Sequence, residues 1–201
     1  MILEERDGDL AIITLNRPDK ANALTREMLE ALCIAVEDSA DAKALILTGI
    51  GKAFSAGMDL EAAASGLATS PIWERLSGAI ARFQGLSVCA LNGTLAGGAM
   101  GMALACDLRI CVPRAKVFYP VMKLGFLPQP SDPRRLQALV GPSRARMVLM
   151  AGQKIEAPEA LTWGLVDRIV APDDLMDTAK DLCADVLGAE AAHIRGIKAL
   201  F

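Results

Sequence analysis

Two glycine-rich turns contain the residues whose types and spacing best suit chemistry. They are residues 51–60 (GKAFSAGMDL) and residues 92–101 (NGTLAGGAMG), and each follows a short apolar run typical of a buried strand. A helix start leaves backbone N–H groups without partners, and glycine lets a ligand atom approach them closely. Together the turns predict an oxyanion hole, in which two backbone N–H groups bind one oxygen that becomes negatively charged.

Phosphate binding is the main alternative for such turns, and it fits poorly. Gly93 and Gly98 have the spacing of a P-loop, but Ala99 and Met100 stand where lysine and a hydroxyl residue are needed. A dinucleotide-binding turn requires Gly-x-Gly-x-x-Gly, which neither turn contains. Either turn alone is also explained by close packing of a helix on a strand, so the prediction depends on the pair.

The remaining reactive side chains argue against other kinds of site. His193 is the only histidine, which excludes a histidine-rich metal site, so we expect no metal ion and interpret His193 as a solvated helix residue. The cysteines have no Cys-x-x-Cys spacing and lie mostly in apolar stretches, which indicates core packing in a reducing compartment. They are Cys33, Cys89, Cys106, Cys111 and Cys183.

Composition predicts one soluble domain. The chain has 201 residues, 53% of them apolar, which suits a single core spanning residues 1–201. The net charge of −3, with both signs interspersed, gives no basic footprint for nucleic acid. No apolar run approaches the ~20 residues of a membrane span, and the start lacks a basic flank before an apolar segment. We expect a cytoplasmic protein without nucleic-acid or membrane partners.

The elements that must position the turns alternate between strand and helix. This rhythm predicts an α/β domain with largely parallel strand pairing. Thr25 is expected to cap the first helix, Asp7 and Gly8 to form a hairpin turn, and residues 62–70 to form a mobile loop. Strands are predicted at 2–5, 10–15, 44–48, 88–91, 107–112, 117–119 and 166–170, and helices at 25–36, 72–83, 97–105, 136–140, 144–150, 158–163 and 175–187.

Taken together, the turns and their surroundings resemble the crotonase superfamily, which contains the enoyl-CoA hydratases and isomerases. The motifs follow the order of the family and cover nearly the whole chain. They are Leu15-Asn16-Arg17-Pro18, Asn22-Ala23-Leu24, Leu47-Thr48-Gly49, Phe54-Ser55-Ala56-Gly57-Met58-Asp59-Leu60, Asn92-Gly93, Gly97-Gly98, Ala105-Cys106-Asp107, Lys123-Leu124-Gly125, Arg135-Leu136, Val140-Gly141, Ala160-Leu161 and Trp163-Gly164-Leu165-Val166.

The resemblance implies a spiral of strand-strand-helix units, about 1–190, with helices toward the C-terminus, of which 190–201 would be only the beginning. It implies that the N–H groups of Met58 and Gly98 bind a thioester oxygen, and that coenzyme A is bound as part of the substrate rather than as a permanent cofactor. It also implies a homotrimer, which the family builds with those C-terminal helices.

The resemblance also suggests where coenzyme A is bound. Arg17 and Lys20 could contact the nucleotide phosphates, or be solvated charges. The implied coenzyme A contacts are Lys20, Ala21, Ala23, Ala56, Gly57, Asp59, Leu60 and Gly97, and Asp59 is also expected to stabilise a helix start.

The chain departs from a typical hydratase at the proton-transfer positions. A hydratase places two glutamates over the alkene, whereas the corresponding positions here are Gly101 and Val121. Gln129 falls where some dienoyl isomerases and dehalogenases have an aspartate, and it cannot titrate. Ordinary hydration should therefore be very slow, and the pocket should be roomier and less polar than that of a hydratase.

Other groups near the turns have a chemical and a structural interpretation. Glu61 and Glu74 could transfer protons or be solvated helix charges. Asp132 could transfer a proton or cap the helix that begins near Pro133. Tyr119 could donate a proton or pack in the core.

Three hypotheses for the function stay open. The chain could be an acyl-CoA lyase or isomerase of fatty acid metabolism that stabilises an enolate, or a non-catalytic acyl-CoA binding protein. It could also run another crotonase reaction, decarboxylation or thioester hydrolysis, with Tyr119, Glu61 or Asp132.

Overall fold

The computed structural model describes residues 1–63 and 66–201. The strands are β1 (Ile2–Asp7), β2 (Leu10–Leu15), β3 (Ala44–Gly49), β4 (Ala53–Ser55), β5 (Leu86–Leu91), β6 (Thr94–Ala96), β7 (Leu108–Cys111), β8 (Lys116–Phe118), β9 (Ile155–Glu156) and β10 (Arg168–Ile169). The helices are α1 (Arg26–Asp38), α2 (Leu60–Ala63), α3 (Ile72–Arg82), α4 (Met100–Ala105), α5 (Val121–Leu124), α6 (Asp132–Val140), α7 (Pro142–Leu149), α8 (Ala157–Trp163), α9 (Leu175–Gly188) and α10 (Ala191–Lys198).

The larger sheet has the strand order β1-β2-β3-β5-β7-β10. β1 and β2 form the predicted antiparallel hairpin, with Gly8 in its turn at φ +57°. The pairs from β2 to β10 are parallel, as the alternation of strand and helix predicts. Residues 44–48 of β3 are buried, because α1 and α9 also pack on this sheet. The hydroxyl of Thr25 accepts a hydrogen bond from the Met28 N–H at 3.3 Å, which confirms the predicted cap of α1.

A second sheet has the order β4-β6-β8-β9, and the sequence pattern predicts only its strand β8, at 117–119. β4 and β6 are parallel neighbours, in which Ala53 pairs with Thr94 and Ser55 with Leu95. The chain alternates between the sheets, from β3 to β4, then α3, and from β5 to β6, then α4. These are the strand-strand-helix units of the predicted spiral. The two glycine-rich turns leave neighbouring parallel strands at their carboxyl ends, so the second sheet brings them side by side.

The helices after β8 cover the remaining faces of the core. α6 packs against α4 and α7, and α9 packs against β3, β5 and β7. The cysteines are free and buried, which confirms their predicted place in the core, and His193 is exposed on α10. In the part of the chain that the structure describes, no helix is both long and apolar enough to cross a bilayer.

The predicted loop at 62–70 is only partly within the described residues, since residues 64 and 65 lie outside them. The expectation that this stretch buries little is wrong at Leu67, which begins a short 3-10 helix and is 0% exposed. The Leu67 carbonyl accepts a hydrogen bond from Nε1 of Trp73 at 2.8 Å. The backbone of Leu67 is therefore joined to Trp73 of α3, and its apolar side chain is buried.

Candidate functional site

A cavity of about 430 Å³ opens where the two glycine-rich turns meet. Its lining comes mainly from the turns and from the segment between β8 and α6, with further residues from the loop before α1 and from residues 68–73. It is lined by Lys20, Ala23, Ala56, Met58, Asp59, Leu60, Glu61, Ala68, Trp73, Gly97, Gly98, Tyr119, Pro120, Val121, Leu124, Phe126, Leu127 and Gln129. The structure thus brings both predicted oxyanion donors, Met58 and Gly98, to one cavity.

The Met58 N–H is directed away from the neighbouring chain segment. Met58 forms a parallel bridge with Leu24, in which the Leu24 N–H donates to the Gly57 carbonyl at 2.7 Å and the Asp59 N–H donates to the Leu24 carbonyl at 2.9 Å. The hydrogen-bonding groups of successive residues on a strand point to opposite sides. The N–H of Met58, between these two bonds, therefore points away from Leu24.

The second donor lies at the start of a helix. Gly97–Ala99 form one 3-10 turn before α4, so the Gly98 N–H has no preceding carbonyl of that helix to bind. The indole of Trp73 lies over Gly98, and a Cβ at this position would be 3.0 Å from the nearest ring atom. Glycine here lets Trp73 form part of the cavity wall next to this N–H.

Gly57 sets the distance between the two turns. Its φ of +90° is strained for other residues, and a Cβ would lie 2.7 Å from the Ala96 carbonyl oxygen and 3.2 Å from the Gly97 Cα. Gly57 does not itself line the cavity. Its role is to let the backbone of the first turn contact that of the second.

A buried asparagine fixes the loop that precedes α1 against the first turn. Asn22 is 0% exposed and has a φ of +54°, which asparagine tolerates better than most residues. Its Nδ2 donates to the carbonyls of Ile50 and Ala53 at 3.0 and 2.9 Å. The hydroxyl of Ser55 donates to the Asn22 carbonyl at 2.8 Å. Asn22 was part of the sequence resemblance, but its positioning role was missed because these partners are distant in sequence.

Arg17 is not a solvated charge, contrary to one of its two predicted roles, and its ion pair leaves it less accessible to a nucleotide phosphate, its other predicted role. Its side chain is only 17% exposed and forms an ion pair with Asp59, and it also donates to the Ala23 carbonyl at 2.8 Å. The other oxygen of Asp59 accepts the Glu61 N–H at 2.9 Å, so Asp59 stabilises its helix start as predicted. This pair joins the loop before α1 to the first turn.

Most of the residues implied to contact coenzyme A line the cavity. Lys20, with a side chain 54% exposed, lies 4.0 Å from the carboxylate of Glu61, whose side chain is 87% exposed. Glu61 is thus solvated at the mouth, as its structural interpretation predicts. Ala21 is outside the lining, and its carbonyl is occupied because it accepts the Ala56 N–H at 2.9 Å.

The expected spare room above Gly101 is absent. Gly101 is buried in α4, and a Cβ there would lie 3.0 Å from Oδ1 of Asp132 and 3.6 Å from Cβ of Ser77. Because α6 packs on α4, the Asp132 carboxyl fills the space that a side chain at position 101 would need. At the other vacated position, Val121 lines the cavity and is 6% exposed.

Asp132 does not cap its helix, contrary to its structural interpretation. It is 1% exposed, and its Oδ2 accepts a hydrogen bond from the Tyr119 hydroxyl at 3.0 Å. Within the described residues Oδ1 has no hydrogen-bond partner. Burial raises the pKa of Asp132 to about 7, although the Tyr119 hydrogen bond and Arg135 lower it. Sequence alone could not set the direction of this side chain.

Glu74 is not a solvated charge either, because it holds the start of α6. Its carboxylate accepts the Ser131 N–H at 3.0 Å and the Ser131 hydroxyl at 2.6 Å. A carboxylate from α3 thus satisfies the helix start that Asp132 leaves uncapped. Gln129 lines the cavity, and its Nε2 donates to the Ala68 carbonyl at 3.3 Å.

Tyr119 connects this buried group to the cavity. It is 4% exposed and lines the cavity wall, so it packs in the core as predicted and also reaches the site. Its hydroxyl accepts the Gln129 N–H at 3.3 Å while it donates to Asp132. Burial and the nearby Asp132 raise the pKa of the Tyr119 phenol far above its usual range, so the phenol stays protonated.

Comparisons of the sequence and of the fold with known proteins agree on one family. The family model described as enoyl-CoA hydratase/isomerase matches residues 5–201. The short-chain-enoyl-CoA hydratase of Clostridium acetobutylicum is 32% identical, over 92% of this chain and 75% of the relative. The carnitinyl-CoA dehydratase of Salmonella enteritidis PT4 is 35% identical, over 98% of this chain and 78% of the relative. A crystal structure of an enoyl-CoA hydratase/isomerase from Pseudoalteromonas atlantica T6c superposes with a TM-score of 0.92 at 28% identity, covering 99% of this chain and 81% of that one.

Proposed function

Because the chain belongs to the enoyl-CoA hydratase/isomerase family, we propose that it binds an acyl-coenzyme A thioester in the cavity between the two glycine-rich turns. The thioester carbonyl oxygen accepts hydrogen bonds from the backbone N–H groups of Met58 and Gly98. These donors bind an enolate oxygen more strongly than a neutral carbonyl oxygen, so the site favours removal of a proton from the carbon next to the thioester.

The parallel pairing of β4 with β6 is the observation on which this proposal rests. Met58 follows β4, Gly98 follows β6, and both residues line the cavity, which supports the proposal that their N–H groups bind one oxygen. Gly57 keeps the two backbones in contact. The donors are part of the backbone of a paired sheet, so they need little reorganisation when charge develops on the ligand.

The nucleotide part of coenzyme A is expected to extend along the loop before α1. Lys20 and Ala23 on that loop, with Ala56, Asp59 and Leu60 on the first turn, line that side of the cavity. Lys20 is the phosphate contact we propose, because Arg17 is held by Asp59. The trimer implied by the family resemblance stays a prediction.

The acyl group is expected to be apolar. The wall opposite the turns includes Val121, Leu124, Phe126 and Leu127, and Leu127 is 87% exposed. Apolar side chains exposed around a cavity mouth often mark a binding site, because an apolar ligand removes them from water. We propose that the acyl chain packs against them.

A non-catalytic acyl-CoA binding protein is the second candidate. The observation that favours it is the absence of an ionisable side chain at Gly101 and Val121, where a hydratase has its glutamates. Both candidates require the same thioester binding. They differ in whether a group of this chain can transfer a proton to the bound ligand.

Carbonyl recognition predicts a difference between two matched ligands. We expect butanoyl-CoA to bind roughly 10-fold or more tightly than its S-butyl thioether, which lacks the carbonyl oxygen and leaves two N–H groups unpaired. Isothermal titration calorimetry measures both affinities, with free coenzyme A as the reference for the nucleotide contribution. Equal affinity for thioester and thioether would exclude the oxyanion contacts, and no binding of any of the three would exclude the cavity as a coenzyme A site.

A further inference from the structure

The space around Gly101 contains a carboxyl group that the family resemblance does not supply. We propose that Tyr119 is a catalytic residue of this cavity and that Asp132 is the positioning residue that exchanges a proton with it. Together they replace the glutamates missing at Gly101 and Val121. This inference rests on the proposed function, since it requires a thioester bound to the Met58 and Gly98 N–H groups.

The Asp132 carboxyl occupies the space that a side chain at position 101 would need. A Cβ at position 101 would be 3.0 Å from Oδ1 and 3.6 Å from Oδ2 of Asp132. A glutamate on α4 would therefore compete with the Asp132 carboxyl at the start of α6 for this space. The absence of a side chain at Gly101 is what leaves room for the buried carboxyl of Asp132.

The carboxyl group reaches the ligand only through the phenol. Asp132 does not line the cavity, whereas Tyr119 does, and the Tyr119 hydroxyl donates to Oδ2 of Asp132 at 3.0 Å. The Gln129 N–H binds the phenol oxygen from a second direction at 3.3 Å. One lone pair of that oxygen is left to accept a proton from a ligand.

The charges around Asp132 suit a group that gains and loses a proton. Burial raises the pKa of Asp132 to about 7; the Tyr119 hydrogen bond and Arg135 on α6 lower it, and Glu74 on α3 raises it further. Ser77 Oγ, Asp132 Oδ1 and Arg135 Nη1 are buried without hydrogen-bond partners among the described residues. Unpaired buried polar atoms are costly, so the unpaired oxygen of the carboxyl that binds Tyr119 favours a functional role.

The proton transfer balances without any further reactant. When the ligand enolises, its α-C–H bond breaks and the phenol oxygen of Tyr119 takes that proton. The phenol passes its own proton to the Asp132 carboxylate, and the electron pair moves to the thioester oxygen held by Met58 and Gly98. The reverse steps return a proton to the α-carbon.

A single acid–base unit limits the chemistry. Hydration needs one group to activate water and another to protonate the α-carbon, whereas proton exchange at one carbon needs only one. The substrate class is therefore an acyl-CoA whose reaction consists of proton removal or return at the α-carbon. The protonation that follows a decarboxylation belongs to this class.

Exchange of the α-protons of butanoyl-CoA in D₂O, followed by ¹H NMR, tests this inference. The wild-type protein is expected to catalyse exchange at a rate that rises with pH up to about 7 and then levels, because Asp132 must be ionised to accept the proton. Y119F and D132N should each lower the rate about 100-fold or more while butanoyl-CoA affinity stays within a few-fold. D132N should also remove the pH dependence. The matched control is D181N, an exposed aspartate on α9, which should leave exchange unchanged.

The outcomes of this experiment distinguish a failure of this inference from a failure of the proposed function. If butanoyl-CoA fails to bind wild-type protein, the proposed function is wrong. If it binds but its α-protons do not exchange, or exchange equally fast in Y119F and D132N, the role of the Tyr119–Asp132 pair is wrong and thioester binding stands. D132N removes a buried charge, so loss of folding is not expected to obscure the result.

Discussion

Replacing Gly57 with alanine is expected to lower the free energy of unfolding by about 3 to 5 kcal/mol and to abolish acyl-CoA binding. The φ of +90° is strained for alanine, and the new methyl group would lie 2.7 Å from the Ala96 carbonyl oxygen. That oxygen belongs to β6, the strand paired with β4. Relief of the contact requires the two turns to separate, which moves the Met58 and Gly98 N–H groups apart.

Urea unfolding and butanoyl-CoA titration measure these two effects. The matched control is G152A, since Gly152 has a φ of +63° but no atom within 4 Å of the added Cβ. It carries the conformational cost alone, expected to be about 1 to 2 kcal/mol, and should bind butanoyl-CoA normally. If G57A and G152A lose similar stability, or if G57A keeps full affinity, the close contact of the two turns does not hold the site.

Replacing Asp132 with asparagine is expected to stabilise the protein at neutral to alkaline pH. Burial raises the pKa of this carboxyl from the usual 3.8 to about 7, so the folded protein holds a proton that the unfolded chain releases above about pH 4. The free energy of unfolding of the wild type therefore falls as pH rises from about 4 to 7, and it is level above that range. At 1.36 kcal/mol per pH unit, the cost of ionised Asp132 at pH 8 is on the order of 4 kcal/mol.

Urea unfolding at several pH values compares wild type, D132N and D181N. D132N should exceed wild type by up to about 4 kcal/mol at pH 8, with the difference shrinking to near zero toward pH 4. D181N removes an exposed aspartate of α9 and should follow the wild type at every pH. A D132N protein that is no more stable than wild type at pH 8 would mean that Asp132 carries no raised pKa. A D132N protein that is more stable than wild type but exchanges α-protons more slowly would show that the Asp132 carboxyl lowers stability and supports proton transfer.

The sequence predicts the long elements of the fold and two of the short strands, β8 and β10, but not the short strands β4, β6 and β9. β3 and β5 are apolar runs long enough to indicate buried strands, and α1 has a cap and helical periodicity. β4, β6 and β9 have only two or three residues each, too few for any periodicity to appear. Of these, β4 and β6 position the two turns. The turns were nevertheless found, because a glycine next to a helix start has a local chemical meaning that does not depend on strand length.

The buried carboxyl is the part of the site that the sequence could not locate. Asp132 precedes a proline at a helix start, a pattern that usually indicates a cap. Its true direction depends on the packing of α6 on α4, on a tyrosine from another segment and on the missing side chain at Gly101. The interpretation of Glu74 as a solvated charge fails for the same reason, since the Ser131 groups that it binds lie far away in sequence. Long-range contacts of this kind leave no local signal.

Binding of the thioester oxygen by the Met58 and Gly98 N–H groups can be observed on the ligand itself. The measurement is the isotope-edited infrared difference spectrum of butanoyl-CoA labelled with ¹³C at the carbonyl, free and bound to the protein. Two backbone N–H donors in a low-dielectric cavity should weaken the C=O bond more than water does and move its stretching band to lower frequency on binding. A band that stays at its position in water while the protein is saturated with ligand would contradict the oxyanion hole.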